Sequence, residues 1–313
     1  MYMTITQLEY IIAVDTYRHF ATAAERCYVT QPTLSMQIQK LEDDLGSKIF
    51  DRSKQPVTPT EIGEEIIAQA RIVVHETRMI YQLIKDKQGL MQGDLTIGII
   101  PTLAPYLLPT FLHPFLVKYP DVKIKFKEMT REVIIERLKS GRIDAGLLVT
   151  PLHDSTIMEY PLFYEELLAY VSKDNAAHKK TYVVPADVNV KELWLLEDGH
   201  CFRNQVLNLC EIKLEAKAES HFEYEAGSIE TLRKMVELNN GVTILPELAS
   251  LDFNLKQQNM VRHFKAPVPV REVSLVTHRN FVKKKLVDVL KQEVLLSLPK
   301  KIILNKKSNL IKI

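Results

Sequence analysis

The chain is poor in cysteine, with three in 313 residues. That is too few for a disulfide framework, and the paired CxxC spacing of zinc ribbons and thioredoxin-type redox motifs is missing. It also lacks a basic-then-apolar leader, and no apolar run approaches the roughly 20 residues that span a bilayer. These absences predict a cytoplasmic protein with no membrane partner, whose thiols rest reduced and whose disulfides, where they form, are transient or sensing. A hydrophobic content of 46% and a charged content of 26% are ordinary for globular proteins, and the length predicts two or three domains.

Net charge is only +2, but its distribution is uneven. Residues 283–313 hold nine lysines against Asp288 and Glu293, which reads as a solvated basic helix and tail. Residues 1–60 carry six Lys or Arg against seven Asp or Glu, so nucleic-acid binding at that end cannot rest on bulk charge.

Two of the three cysteines, Cys201 and Cys210, lie in one stretch that reads as a helix. Nine residues at 1.5 Å rise hold their Cα atoms ~13 Å apart, whereas a disulfide needs them within about 7 Å. Joining them therefore requires the helix to unwind, which couples thiol oxidation to shape. Asp198 as N-cap and Gly199 beside it place Cys201 in the first turn, where free N–H groups and the helix dipole favour a thiolate. His200 and Arg203 could add positive charge. The plainer reading is two small buried apolar groups. A zinc site of His200, Cys201, Cys210 and His221 is weaker, because adjacent side chains rarely chelate one ion. No metal or cofactor is expected.

Residues 4–60 read as three short helices and a hairpin. Leu8, Ile11 and Ile12, then Ala21, Ala24 and Cys27, suit the first two helices. The third opens with Thr30 as N-cap and Pro32 in its first turn, carries Leu34, Ile38, Leu41 and Leu45 inward, and stops at Gly46. The short link between the second and third is helix-turn-helix geometry. The outer face of the third, from Gln31 through Pro32, Thr33, Ser35 and Met36 to Gln39 and Lys40, suits base edges and phosphates of double-stranded DNA. Glu42, Asp43 and Asp44 sit at the far end, where they would repel phosphate. Asp51–Thr58, with Arg52, supplies a basic wing. A long helix from Thr60 to about Leu90 carries Ile62, Ile66, Ala70, Val73, Thr77, Ile80 and Ile84 at heptad-like spacing, which predicts pairing with a second subunit.

Gln88-Gly89 and Gln92-Gly93-Asp94 mark a hinge. Beyond it strands (Leu95–Ile100, Val122–Phe126, Ala145–Val149, His221–Tyr224, Val242–Leu245, Val273–Val276) alternate with helices (Ala104–Lys118, Glu132–Ser140, Ile229–Leu238, Val282–Ser297). Alternation of this kind predicts parallel sheets covered on both faces, with ligand sites beyond the strand carboxyl ends, as at Pro101-Thr102. The domains expected are residues 1–60 for DNA binding, 61–90 for linking and dimerisation, and 91–313 for regulation.

Ala23-Ala24, Thr30-Gln31-Pro32-Thr33-Leu34-Ser35, Ile38, Leu41-Glu42, Leu45-Gly46, Phe50, Arg52 and Thr60-x-x-Gly63 together resemble the winged helix-turn-helix of LysR-type transcriptional regulators. The resemblance implies an α/β protein: that DNA-binding domain, a linker helix, and a periplasmic-binding-protein-like regulatory region of two subdomains, assembled as a homodimer or homotetramer on promoter DNA. Ile99–Thr102, Pro105–Pro109, Leu196–Cys201 with Cys210, and Ser228–Val236 resemble the peroxide-sensing activators of that family. That likeness implies that Cys201 reacts with hydrogen peroxide and that Cys210 resolves the product as a disulfide. Thr102, His200 and Arg271 would line the peroxide pocket, and a thiol reductant such as a glutaredoxin or thioredoxin would reset it. The pocket's second threonine falls at or beside Arg131, with Thr130 next to it, a departure from the pattern. The alternative function is a LysR-type regulator responding to a small organic ligand in the subdomain cleft. A thiol peroxidase or a solute-binding protein fits less well, and no enzyme is expected.

Overall fold

The computed structural model describes residues 3–87, 91–211, 226–281, 283–304 and 310–311. They form two compact units, residues 1–90 with 137–142 and residues 91–136 with 143–313.

In the first unit a capping box between Thr4 and Gln7 starts α1 (Ile5–Tyr17), and α2 (Phe20–Arg26) follows after a two-residue turn. Thr30 caps α3 (Gln31–Leu45) by accepting the Thr33 N–H, and Pro32 sits in the first turn, where its missing N–H costs nothing. Leu34, Ile38 and Leu41 are fully buried against Leu8, Ile11, Val14, Ala23 and Ala24. Ala21 is exposed and Leu45 half-buried, so the inward stripe is narrower than the apolar spacing predicts. β1 (Phe50–Asp51) and β2 (Thr58–Pro59) pair as the wing.

Glu42 overturns its sequence reading. It is 1% exposed, accepts the Ile49 and Phe50 N–H groups at 2.9 and 3.2 Å, and pairs with Arg52 at 3.3 Å. It fastens the wing to α3 instead of repelling phosphate, because two backbone donors and a guanidinium repay its desolvation.

Entry into α4 (Glu61–Lys87) is made by Thr60, whose hydroxyl donates to the Lys48 carbonyl at 2.7 Å and accepts the Gly63 N–H at 3.0 Å. A Cβ on Gly63 would stand 2.0 Å from the Ile49 carbonyl oxygen, so only glycine fits. Ile67, Ala70 and Val74 of α4 join the core of this unit, and Arg71 pairs with Asp15 of α1 at 2.6 Å. Ile62 and Ile80 remain exposed on the other side.

The second unit begins with β3 (Gly93–Ile99), α5 (Ala104–Lys118), β4 (Val122–Glu128), α6 (Arg131–Lys139), β5 (Ala145–Thr150), β6 (Ile157–Val171) and β7 (Tyr182–Val183). There follow α7 (Cys201–Leu209), α8 (Ile229–Leu238), β8 (Val242–Pro246), α9 (Leu255–Gln258), β9 (Val261–Phe264), β10 (Val270–His278), α10 (Lys284–Ser297) and α11 (Lys300–Leu304). β3 pairs in parallel with β4 and β5, as alternation predicts. The sheet is nonetheless mixed, because β10 returns antiparallel to both β5 and β6, and β6 runs antiparallel to β8 and β9.

β6, 15 residues long, is the shared strand of both halves. Its first part, to Glu166, pairs with β10, and Leu167–Val171 pair with β8. Glu159, Pro161, Glu165 and Glu166 break its apolar alternation, so its length is hidden in the sequence. A bulge opposite Val273/Ser274 accommodates Pro161. The result is the expected α/β class, a winged helix-turn-helix followed by a two-part regulatory region. His221–Tyr224 and the Gln88-Gly89 part of the hinge lie outside the described residues, and Gly93, at φ +135°, opens β3.

The basic end is more committed than a solvated tail. Lys283 donates to Asp144 at 2.8 Å, Lys291 lies 4.6 Å from the Tyr160 ring centroid, and Lys301 pairs with Glu247 at 2.8 Å. Among the described residues no helix is long and apolar enough to cross a membrane.

Candidate functional site

Thr102 follows the carboxyl end of β3 and is buried. Arg271, the second residue of β10, is wholly buried beside it and donates to the Thr102 hydroxyl and carbonyl, each at 3.2 Å. Its charge is met by Glu165 of β6, also 0% exposed, at 2.6 Å from Nε and 2.5 Å from Nη2. Glu165 in turn accepts the Leu248 N–H at 3.1 Å. Burial pushes the Glu165 carboxyl up, and Arg271 is the main group opposing that. The open face of the Arg271 guanidinium rests 5.1 Å from the Phe202 ring centroid of α7. Glu165 was invisible beforehand, because nothing in the sequence marks β6 as the strand beside Arg271.

α7 spans Cys201–Leu209 with Cys210 as its C-cap, so the two sulfurs sit at opposite ends of an intact helix, both as free thiols. Their Cα atoms are therefore ~13 Å apart. Phe202, Val206 and Leu209 anchor the helix in the core. The N-cap is His200, not Asp198. Asp198 is instead engaged by Arg203 Nε at 2.7 Å, and Arg203 Nη1 donates to the Leu196 carbonyl at 2.8 Å. Gly199, at φ +92°, makes the intervening left-handed turn. His200 directly precedes Cys201, with Nε2 at 3.6 Å from Glu197 Oε1.

Cys201 is 7% exposed, and burial pushes its thiol up, with Arg271 and then Arg131 pulling it down and Glu132 adding to the rise. Removal from water therefore works against the thiolate that the helix start favours. Burial alone raises Cys210 to about 11. Gln205 lies one turn beyond Cys201 on the same helix face and is wholly buried, and neither its Nε2 nor its Oε1 has a hydrogen-bond partner among the described residues. The i, i+4 spacing from Cys201 was the available signal for it. Thr130 is half-buried before α6, its carbonyl accepting the Ile134 N–H at 3.0 Å. It is its neighbour Arg131 whose charge acts on Cys201.

Gln31, Pro32, Thr33, Met36 and Gln39 of α3 are exposed, as the inward stripe requires. Ser35 is half-buried and receives Arg52 Nη1 at 3.1 Å, while Arg52 also lies 5.0 Å from the Phe20 ring centroid. Among the described residues no group of three or more His, Cys, Asp or Glu could hold a metal. His221 lies outside them.

Residues 5–64 match the bacterial regulatory helix-turn-helix protein model of the lysR family, and residues 88–296 match the LysR substrate binding domain. The chain belongs to the LysR family. This LysR-family chain is 37% identical to the hydrogen peroxide-inducible genes activator of Haemophilus influenzae, over 88% of its own length and 90% of that protein's. It is 37% identical to the DNA-binding transcriptional dual regulator OxyR of Escherichia coli, over 79% and 80%. Among solved structures it resembles a full-length cysteine-to-aspartate variant of OxyR from Pseudomonas aeruginosa, with a TM-score of 0.79 and 34% identity, covering 94% of this chain and 98% of that one. Reduced OxyR from Porphyromonas gingivalis matches at 30% identity and a TM-score of 0.62, covering 69% and 99%.

Proposed function

We propose that this LysR-family chain is a DNA-binding transcriptional regulator that senses hydrogen peroxide through Cys201 and Cys210 and controls oxidative-stress genes. One observation carries the reading: two free thiols at the ends of a single short helix, the first buried beside a polar anchor of Arg271 and Thr102. Likeness to the peroxide-inducible activators supports it.

In this mechanism the Cys201 sulfur attacks one peroxide oxygen, the O–O bond breaks, and water leaves with the thiol proton, so that Cys201 becomes a sulfenic acid. The Arg271 guanidinium stabilises the departing oxygen, while Thr102 and His200 offer hydrogen bonds to the peroxide. The Gln205 amide, without a hydrogen-bond partner among the described residues, is a further donor on the same face. Cys210 then attacks the sulfenic sulfur, releasing a second water and leaving a disulfide. That bond requires α7 to open, taking Phe202, Val206 and Leu209 out of a core to which each contributes about 2 kcal/mol. Only covalent chemistry competes with packing on that scale, so oxidation selects a second conformation.

The DNA would be held by the exposed face of α3 from Gln31 to Gln39 and by Arg52 on the wing. Residues 61–90 would join two copies through the outward side of α4, giving a homodimer or homotetramer in the cytoplasm. One oxidation sets one state until a glutaredoxin or thioredoxin resets it, so the chain is a switch and not an enzyme. The test is mass spectrometry of the full chain after submillimolar peroxide and thiol alkylation. A Cys201–Cys210 crosslink that Cys201→Ser abolishes is expected, and its absence from the unmutated chain sinks the reading.

A further inference from the structure

β3 and β4 pair in parallel with Ile99 opposite Glu128, and the Met129 N–H donates to the Ile99 carbonyl at 3.0 Å. Thr102 and Arg131, each three residues past that pair, therefore leave the sheet at the same edge, and Thr102 is bonded to Arg271. The register thus brings a second cation to the edge of the sheet that holds the anchor, and its charge is felt at Cys201. The two differ in how their charge is met. Arg271 is matched by the fully buried Glu165 at 2.5 Å, whereas Arg131 has Glu132 at 3.2 Å, a side chain 61% exposed and screened by water. Arg131 itself is only 25% exposed. Among the described residues Glu132 is the carboxylate that pairs with it. The buried amide of Gln205, without a partner among the described residues, adds a donor on the face of α7 that carries Cys201.

We propose that Arg131 lets the Cys201 site also take anionic peroxides of the peroxycarboxylate class, peroxymonocarbonate being the simplest, and speeds their reaction relative to that of hydrogen peroxide. This rests on the peroxide-sensing reading above and names a second oxidant class for the same site. In the step, the Cys201 sulfur attacks the terminal oxygen of HOO–CO2−, the S–O bond forms as the O–O bond breaks, and the electron pair leaves on the carbonate oxygen. Sulfur loses two electrons and becomes S–OH, the peroxide is reduced, and the thiol proton ends on the departing hydrogencarbonate. Arg131 attracts the anion on arrival and faces its growing charge as it leaves.

The experiment uses the reduced full chain at constant ionic strength and follows Cys201 by mass spectrometry. One arm compares iodoacetate with iodoacetamide, an anionic and a neutral alkylator of similar size. The other compares hydrogen peroxide alone with hydrogen peroxide plus hydrogencarbonate, which generates peroxymonocarbonate. Arg131→Gln should lower both the iodoacetate preference and the hydrogencarbonate acceleration by about tenfold, the scale of one water-screened charge at close range, and Arg131→Lys should restore most of each. Ratios unchanged in Arg131→Gln, with hydrogen peroxide still oxidising Cys201, overturn the role of Arg131 and leave the sensor reading standing. If no peroxide in any arm oxidises Cys201 of the unmutated chain, the sensor reading itself is lost, and this inference with it.

Discussion

Arg271 and Glu165 are a charge pair with no exposed surface, held by Thr102 on one side and the Leu248 N–H on the other. Breaking such a pair leaves a bare ion where water cannot reach. Glu165→Gln should therefore cost about 3–5 kcal/mol in urea unfolding, and Arg271→Met added to it should return part of that loss by removing the orphaned cation. Cys210 makes a prediction in pH. Its folded value of about 11 lies above the ordinary thiol range, so the unfolded chain releases the proton first as pH rises. Stability should thus be undiminished below the ordinary thiol value and decline from there toward pH 11, by on the order of 2 kcal/mol from this group. Urea titrations at several pH values, with Cys210→Ala as the flatter control, measure it.

At the scale of elements, α7 is too short to persist on helix propensity and depends on the residues it buries. Phe202→Ala removes both core packing and the ring under Arg271, a loss of about 3–4 kcal/mol. The Cys201–Cys210 crosslink should then form faster once Cys201 is oxidised, read as its rate after a fixed peroxide pulse. An unchanged rate would mean that packing of α7 does not hold the thiols apart. The wing is an element of the opposite kind, two residues per strand fastened by one buried carboxylate. Glu42→Gln should weaken DNA binding at constant salt and destabilise the first unit by about 3 kcal/mol. A fluorescence-anisotropy titration against promoter DNA, paired with thermal melts, separates the two effects.

At the scale of the whole molecule, the proposed switch depends on assembly. α4 spends Ile67, Ala70 and Val74 on its own unit and leaves Ile62 and Ile80 exposed. Ile80→Glu should therefore shift sedimentation toward the monomer while leaving the melting temperature of the first unit nearly unchanged. Retention of the dimer would move the interface off this helix.

Local signals sufficed for much of this. Thr30, Pro32 and Gly46 bound α3 because caps and backbone preferences act within a few residues, and Ala104–Lys118 and Ile229–Leu238 were legible as helices from their periodicity. The sequence by itself also determined that Cys201 and Cys210 cannot meet inside one helix, since spacing and rise are local quantities. What only the tertiary structure decided are the pairings between distant segments. Glu165 meets Arg271 from 106 residues away, Glu42 turns inward to the wing, and Arg131 acts on Cys201. Burial then pushes the Cys201 thiol up where helix position alone favours a thiolate, because desolvation depends on everything packed around a group and not on its neighbours in the chain.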